Sequence, residues 1–124
     1  MTIKSFRELE AYQESFGLQQ EIFALSKTWP REETYSLTDQ IRRAARSVGA
    51  NIAEAWGKRS YAAHFLSKLT DADGELQETL HWLETACACG YLNKHQHHAV
   101  LQRAESVGRL LGGLIARHET FCLH

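Results

Sequence analysis

One motif in this chain has the spacing of helical metal ligands. Glu78-Thr79-Leu80-His81 places a carboxylate and an imidazole three residues apart, which is one part of the ligand set that helical bundles use for a di-iron site. Such a site needs a second Glu-x-x-His motif, and the sequence contains none. His95-Gln96-His97-His98 can bind a stray transition metal, but this polar segment at the start of a helix is more typical of an exposed turn. We therefore predict no metal site and no other cofactor.

Motifs for nucleophilic or phosphate chemistry are missing from the sequence. There is no glycine-rich phosphate loop and no nucleophile elbow. The cysteines Cys87, Cys89 and Cys122 include no C-x-x-C pair, and in a reducing compartment they are expected to be free thiols. We interpret Cys87 as a small core residue. The sequence predicts a protein that is not an enzyme and takes no small-molecule substrate.

A polar stripe follows one flank of the predicted second helix. Its members recur at spacings of 3, 4, 4 and 3 residues and are Gln40, Arg43, Ser47, Asn51 and Glu54. Serine and asparagine are poor residues for a helix interior. At a partly buried seam, however, they can donate and accept hydrogen bonds between helices.

A second stripe, rich in carboxylates, follows the predicted third helix. It comprises Lys68, Asp71, Glu75, Glu78 and Trp82. A carboxylate facing Arg43 would form a strong, oriented pair. Two interpretations stay open: the stripes are solvated flanks, or one or both lie at a seam between helices or subunits. Trp56 and Trp82 are core residues by default, and Trp82 is the better candidate for an exposed interface anchor.

Four cations form a candidate phosphate-contacting set. Arg42 and Arg46 share one face of the second helix with Gly49 and Ala53, and Lys58 and Arg59 follow its end. The formal net charge of −1 is not that of a dedicated nucleic-acid binder, so this role requires a local basic patch. The alternative interpretation is that these cations only keep the surface soluble.

Four amphipathic helices are predicted to position these side chains, near residues 6–28, 37–57, 61–89 and 94–118. Apolar residues recur in each at intervals of three and four. On the third helix this pattern predicts a buried face containing Leu69, Leu76, Leu80 and Leu83.

Helix punctuation supports these segments. Pro30 disfavours helix in the residue before it, Gly57 and Gly90 are natural helix ends, and Asn93 can cap the fourth helix. The glycines Gly108, Gly112 and Gly113 weaken that helix, and we predict that they let a neighbouring helix approach closely.

Length and composition agree with an ordinary globular chain. With 124 residues, 44% hydrophobic and 23% charged, the chain can bury a core without disulfide or metal staples. No apolar run reaches the roughly 18–20 residues that span a bilayer, and the N-terminus lacks the apolar core of a signal peptide. We predict one cytoplasmic domain over residues 1–124, an antiparallel up-down-up-down four-helix bundle, with no membrane contact.

The second helix carries a family resemblance. Gln40-Ile41-Arg42-Arg43-Ala44-Ala45-Arg46-Ser47 with Asn51-Ile52-Ala53-Glu54 resembles the signature of a bacterial four-helix-bundle family. That family includes the proteins encoded in intervening sequences of the large-subunit ribosomal RNA gene, and the accessory protein of diversity-generating retroelements is similar. The likeness extends to Trp29-Pro30, Gly90-Tyr91-Leu92 and Leu110-Leu111-Gly112-Gly113. The chain departs from the family pattern at Gly49, where proline is common, and at Glu75, where serine is common.

This resemblance implies a ring-shaped homopentamer of four-helix bundles. It also implies association of some relatives with nucleic acid or a reverse transcriptase. Two hypotheses follow: a non-enzymatic oligomeric scaffold whose polar stripes form the seams, and a nucleic-acid-binding accessory protein whose basic patch is repeated around a ring.

Overall fold

Four long helices make up most of the molecule. The structure, a computed structural model, describes residues 2–123, and no strand occurs among them. The long helices are α1 (Glu10–Ser26), α2 (Leu37–Trp56), α3 (Ala62–Ala88) and α4 (Lys94–Ala116). A short α5 (His118–Phe121) follows, and 3₁₀ turns at Phe6–Glu8 and Arg31–Glu33 precede α1 and α2. The all-α prediction is confirmed.

Each long helix packs against the next one along the chain, and α4 packs against α1. On α1 and α2, Ser26 contacts Arg42, and Tyr12 lies beside Gly49. Pairs of this kind bring the end of one helix next to the start of the other. Neighbouring helices therefore run antiparallel, as the short connectors predicted.

The buried face of α3 follows the prediction with one exception. Leu69, Leu76 and Leu83 are buried, whereas Leu80 is only half-buried at the edge of the core. Thr79 occupies the inward position instead. Its hydroxyl donates to the carbonyl oxygen of Glu75 at 2.8 Å, so the buried polar group is satisfied. Placing Leu80 with the other leucines was wrong because the rotation of α3 turns Thr79 inward.

The first predicted helix is shorter than expected at its start. The Ser5 side chain accepts a hydrogen bond from the Arg7 N–H and thereby caps the 3₁₀ turn. Leu9 then adopts an extended conformation with φ −71° and ψ 128°, and it is buried. Burial of Leu9 therefore coincides with a break in the helix, and α1 begins only at Glu10.

The fourth helix begins as predicted. The Asn93 side chain accepts from the Gln96 N–H at 2.8 Å, and the Gln96 side chain accepts from the Asn93 N–H at 3.0 Å. This reciprocal capping box satisfies two helix-end donors. Among the α4 glycines, only Gly108 meets a neighbouring helix: a methyl group there would lie 3.5 Å from Leu76. The close-approach prediction was wrong for Gly112 and Gly113, where an added methyl group would have no atom of a neighbouring helix within 4 Å.

One hydrogen bond joins the two connectors at the same end of the molecule. Tyr91 donates its hydroxyl proton to Glu33 Oε2 at 2.8 Å, and Ser36 donates to Glu33 Oε1 at 2.6 Å. These two bonds, Ser36 first, hold the pKa of Glu33 below its ordinary value. The bond to Glu33 in turn raises the pKa of Tyr91 to about 12.

Removing the Tyr91 hydroxyl should destabilise the fold over a defined pH window. A lowered carboxyl pKa stabilises the fold above the unfolded-state value and loses this effect as pH falls. A raised tyrosine pKa stabilises below pH about 10 and loses this effect as pH rises through 12. Urea unfolding of Tyr91→Phe should therefore show lower stability than wild type at pH 7, with the difference shrinking below pH about 4. Tyr35→Phe, at an exposed position, is the control; equal losses in both variants would contradict this role.

Candidate functional site

The two polar stripes flank one seam, between α2 and α3. The α2 stripe comprises Gln40, Arg43, Ser47, Asn51 and Glu54, and the α3 stripe comprises Lys68, Asp71, Glu75, Glu78 and Trp82. Lys68 Nζ bridges them, at 3.3 Å from Glu54 Oε2 and 3.8 Å from Asp71 Oδ2. Since α2 and α3 are antiparallel neighbours, the rest of both stripes runs along the same surface.

Apart from the Glu54–Lys68 contact, the polar contacts of the α2 stripe are made along the helix itself. Arg43 Nε lies 2.9 Å from Asp39 Oδ2, one turn earlier, and the Arg43 side chain is 76% exposed. The half-buried Asn51 donates through Nδ2 to the Ser47 carbonyl at 2.8 Å. In the single chain, the carboxylate that faces Arg43 is therefore Asp39 and not a member of the α3 stripe.

The α3 stripe concentrates negative charge. Burial raises the pKa of Glu75, and repulsion from Glu78 and Asp71 raises it further. Among the described residues no cation forms an ion pair with Glu75 or Glu78. Trp82 is half-buried and donates its indole N–H to Glu78 Oε2 at 3.4 Å. We call Asp71, Glu75 and Glu78 the acidic stripe.

The four predicted phosphate-contacting cations do not form one patch. Arg42 and Arg46 lie on the α1 side of α2, and Lys58 lies roughly 20 Å further along the axis. Arg59 stacks on Trp56, its guanidinium carbon 3.7 Å from the ring centroid, and donates to the Trp56 carbonyl at 2.8 Å. Lys58 lies beside His64, Ser67 and Lys68. The set therefore divides into two.

Arg42 and Arg46 gather around a residue that the sequence reasoning missed. The ring centroid of Phe23, on α1, lies 4.7 Å from the guanidinium carbon of Arg42, 5.5 Å from that of Arg46 and 4.7 Å from Lys27 Nζ. Arg42 Nε also donates to the buried hydroxyl of Ser26 at 2.8 Å. We call Lys27, Arg42 and Arg46 the cationic cluster.

The cationic cluster has no acidic partner in the part of the chain that the structure describes. None of its three members forms an ion pair with a carboxylate of residues 2–123. Lys27 lies one helical turn after Phe23, so this part of the cluster is visible as an i, i+4 pair on one helix. The packing of α2 against this pair, which adds Arg42 and Arg46, cannot be read from spacing along one helix.

An open apolar groove adjoins the cationic cluster between α1 and α2. It has a volume of about 320 Å³ and is lined by Phe6, Tyr12, Phe16, Gln19, Arg46, Gly49, Ala50 and Ala53. Phe16 is 46% exposed. A methyl group on the buried Gly49 would lie 3.1 Å from Ser15 Oγ, so this glycine lets α1 and α2 approach closely. Arg46 belongs to both the cluster and the groove.

No cluster of metal ligands was found in the described part of the chain. Among residues 2–123, no three His, Cys, Asp or Glu side chains are placed to hold an ion together. His95 and His98 are exposed in the first turn of α4, and His97 Nε2 lies 3.5 Å from Glu84 Oε1. Over the same residues, no helix is both long enough and apolar enough to cross a membrane.

The fold and these surfaces define an all-α protein whose candidate site is the outer face of its second helix. The chain belongs to the 23S rRNA-intervening sequence protein family, whose model matches residues 7–113. This confirms the resemblance carried by the second helix.

A solved structure supports the same assignment. It is a crystal structure of a protein of unknown function from the S23 ribosomal protein family of Bacteroides thetaiotaomicron. The two chains are 29% identical with a TM-score of 0.77, over 86% of this chain and 95% of the other. No match was found among curated proteins.

Proposed function

We propose that this chain is the subunit of a homo-oligomeric, non-enzymatic helical scaffold. The observation that carries the proposal is the apolar groove between α1 and α2, with Phe16 46% exposed at its side. Exposed apolar surface rimmed by polar residues marks interaction sites. Arg46 lines this groove, and the α2 stripe follows the other flank of the same helix; both supply polar groups that can fix the orientation of a partner.

The proposed assembly is a closed ring. A ring joins one surface of each subunit to a different surface of the next, and α2 carries two distinct surfaces, one toward α1 and one toward α3. The number five comes from the family resemblance alone. The scaffold role requires no catalytic group or cofactor.

Self-association should be visible by light scattering over a dilution series of the purified protein. Arg43→Ala and Asn51→Ala are expected to weaken the assembly while leaving the subunit folded. An interface that covers the α2 stripe would bury these exposed and half-buried groups, and removing one partner of a buried polar pair can cost about 3–5 kcal/mol. Arg109→Ala, at an exposed α4 position, is the matched control.

Two results would count against the proposal. A wild-type monomer at the highest concentration would reject the scaffold. An unchanged mass for both variants throughout the dilution series would reject the role of the α2 stripe.

A second candidate function is nucleic-acid binding. The observation that favours it is that no carboxylate of residues 2–123 forms an ion pair with Lys27, Arg42 or Arg46. Unpaired cations beside an aromatic ring can bind phosphate groups and release counterions. Repetition around a ring would multiply this patch despite the net charge of −1.

Salt dependence tests this second function. If the cations contact phosphates, binding of a single-stranded RNA should weaken steeply with salt, and Arg42→Gln and Arg46→Gln should each reduce the log–log slope by about 0.7. Lys58→Gln tests a predicted phosphate-contacting cation that lies away from the cationic cluster. Arg59→Gln tests the other member that lies away from the cationic cluster, where Arg59 stacks on Trp56; a smaller change of slope than in Arg42→Gln would place the phosphate contacts at the cationic cluster. No binding at low salt would leave only the scaffold.

A further inference from the structure

Among the described residues, Glu75 and Glu78 on α3 and the cationic cluster on the α1 side of α2 have no ion-pair partner. The cationic cluster lies on the α1–α2 side and has no carboxylate partner in the described residues, while the acidic stripe lies at the α2–α3 seam with only Lys68 beside it. The two surfaces face different directions on one subunit and so cannot neutralise each other within it. They can do so between two copies.

We infer that the acidic stripe of one copy docks on the cationic cluster and apolar groove of the next. This inference rests on the proposed self-assembly and names the surfaces that form its interface. Glu75 and Glu78 then pair with Arg42 and Arg46, and Trp82 enters the groove beside Ala50.

The spacing of the two surfaces fits this pairing. Arg42, Arg46 and Ala50 follow one another at intervals of four residues, and Glu75, Glu78 and Trp82 at intervals of three and four. Each set therefore spans roughly 10 Å along its helix axis. If α3 of one copy runs parallel to α2 of the next, Glu75 and Glu78 lie opposite the two arginines. The Trp82 ring then lies opposite the groove.

The groove favours a protein partner over a nucleic acid. A phosphate chain would neutralise Arg42 and Arg46 but would leave Phe16 and the alanines of the groove in water. A helix with two carboxylates and a tryptophan covers both the charges and the apolar surface. Burial, and after it repulsion from Glu78 and Asp71, raises the pKa of Glu75, and this repulsion is relieved when cations approach.

Charge reversal on each surface, and then on both, tests the pairing. One variant carries Arg42→Glu with Arg46→Glu, the second Glu75→Lys with Glu78→Lys, and the third all four changes. Light scattering and sedimentation of the full chain give the dissociation constant. Each single-surface reversal should raise it about tenfold or more, because like charges then face each other. The variant with all four substitutions should have a dissociation constant close to that of wild type.

Control variants separate interface effects from misfolding. Arg109→Glu and Glu105→Lys make the same charge changes at exposed α4 positions and should leave the dissociation constant unchanged. Ala50→Glu alters the exposed wall of the groove without touching the core and should weaken association. The helical circular dichroism signal of every variant must match that of wild type. If the arginine reversal unfolds the subunit, Ala50→Glu and the glutamate reversal still test whether these two surfaces form the interface.

The outcomes distinguish this inference from the scaffold proposal. A monomeric wild type would reject both. An oligomer whose mass does not respond to either reversal would overturn the interface and keep the scaffold. Loss of oligo(U) binding in the arginine variant, with its oligomer mass unchanged, would assign the cations to phosphates and overturn the inference. If both single-surface reversals weaken self-association and the variant with all four substitutions does not restore it, the specific pairing would be overturned.

Discussion

Replacing Leu76 with alanine is expected to lower the free energy of unfolding of the subunit by about 2–5 kcal/mol. Leu76 is 1% exposed on α3, and one of its methyl groups lies 3.5 Å from the position that a methyl on Gly108 of α4 would take. The truncation removes apolar contacts and leaves a cavity between two helices that are too closely packed to collapse fully. Urea unfolding followed by circular dichroism measures the loss.

Two comparisons make this result specific to burial. Leu80→Ala removes the same atoms at a half-buried position and should cost less than Leu76→Ala. Leu123→Ala, at a residue 55% exposed, should stay within about 0.5 kcal/mol of wild type. Equal costs at Leu76 and Leu80 would show that the rotation assigned to α3 is incorrect.

Replacing Trp56 with alanine is expected to cost about 3–5 kcal/mol. Trp56 is 7% exposed at the end of α2, where its ring centroid lies 6.2 Å from that of Phe121 on α5 and 3.7 Å from the guanidinium carbon of Arg59. The substitution removes the ring contacts with Phe121 and Arg59 and leaves a cavity. Helix α5 thereby loses an aromatic partner that holds it against the bundle. Equilibrium unfolding should report the loss, and hydrogen exchange should show faster opening of α5.

The phenylalanine variant is the informative control at this position. The Trp56 indole N–H has no hydrogen-bond partner among the described residues, so Trp56→Phe removes ring area but breaks no hydrogen bond and should cost much less. Tyr61→Ala, at a residue 66% exposed, should be close to neutral. A cost for Trp56→Ala below about 1 kcal/mol would contradict the packing role of this ring.

Predictions about stability and predictions about assembly both involve α2. Its inward face supplies core residues such as Ile41, Val48 and Ile52, and its two flanks carry the surfaces proposed for assembly. Stability changes therefore report on the inward face, and changes of mass or salt dependence report on the flanks. A variant that alters mass while leaving the unfolding free energy unchanged identifies an interface residue.

The sequence by itself determined the number and the type of the long elements. Apolar residues at intervals of three and four fix which side of each helix is buried, and local signals such as Asn93 with Gln96 fix where a helix begins. These features depend on residues within a turn or two of each other. The Asp39–Arg43 pair, one turn apart on α2, belongs to the same local class and was available from the spacing.

Only the tertiary structure decided which side chains from different helices meet. Phe23 lies on α1 and Lys27 directly follows the end of that helix, and nothing in their spacing places Arg42 and Arg46 of α2 over the same ring. In the same way, four cations close together in the sequence separated into two sites, because Arg59 stacks on Trp56. Periodicity sets the direction of a side chain about its own helix axis. The rotation and register between helices, which set Thr79 inward in place of Leu80, follow from packing of the whole core.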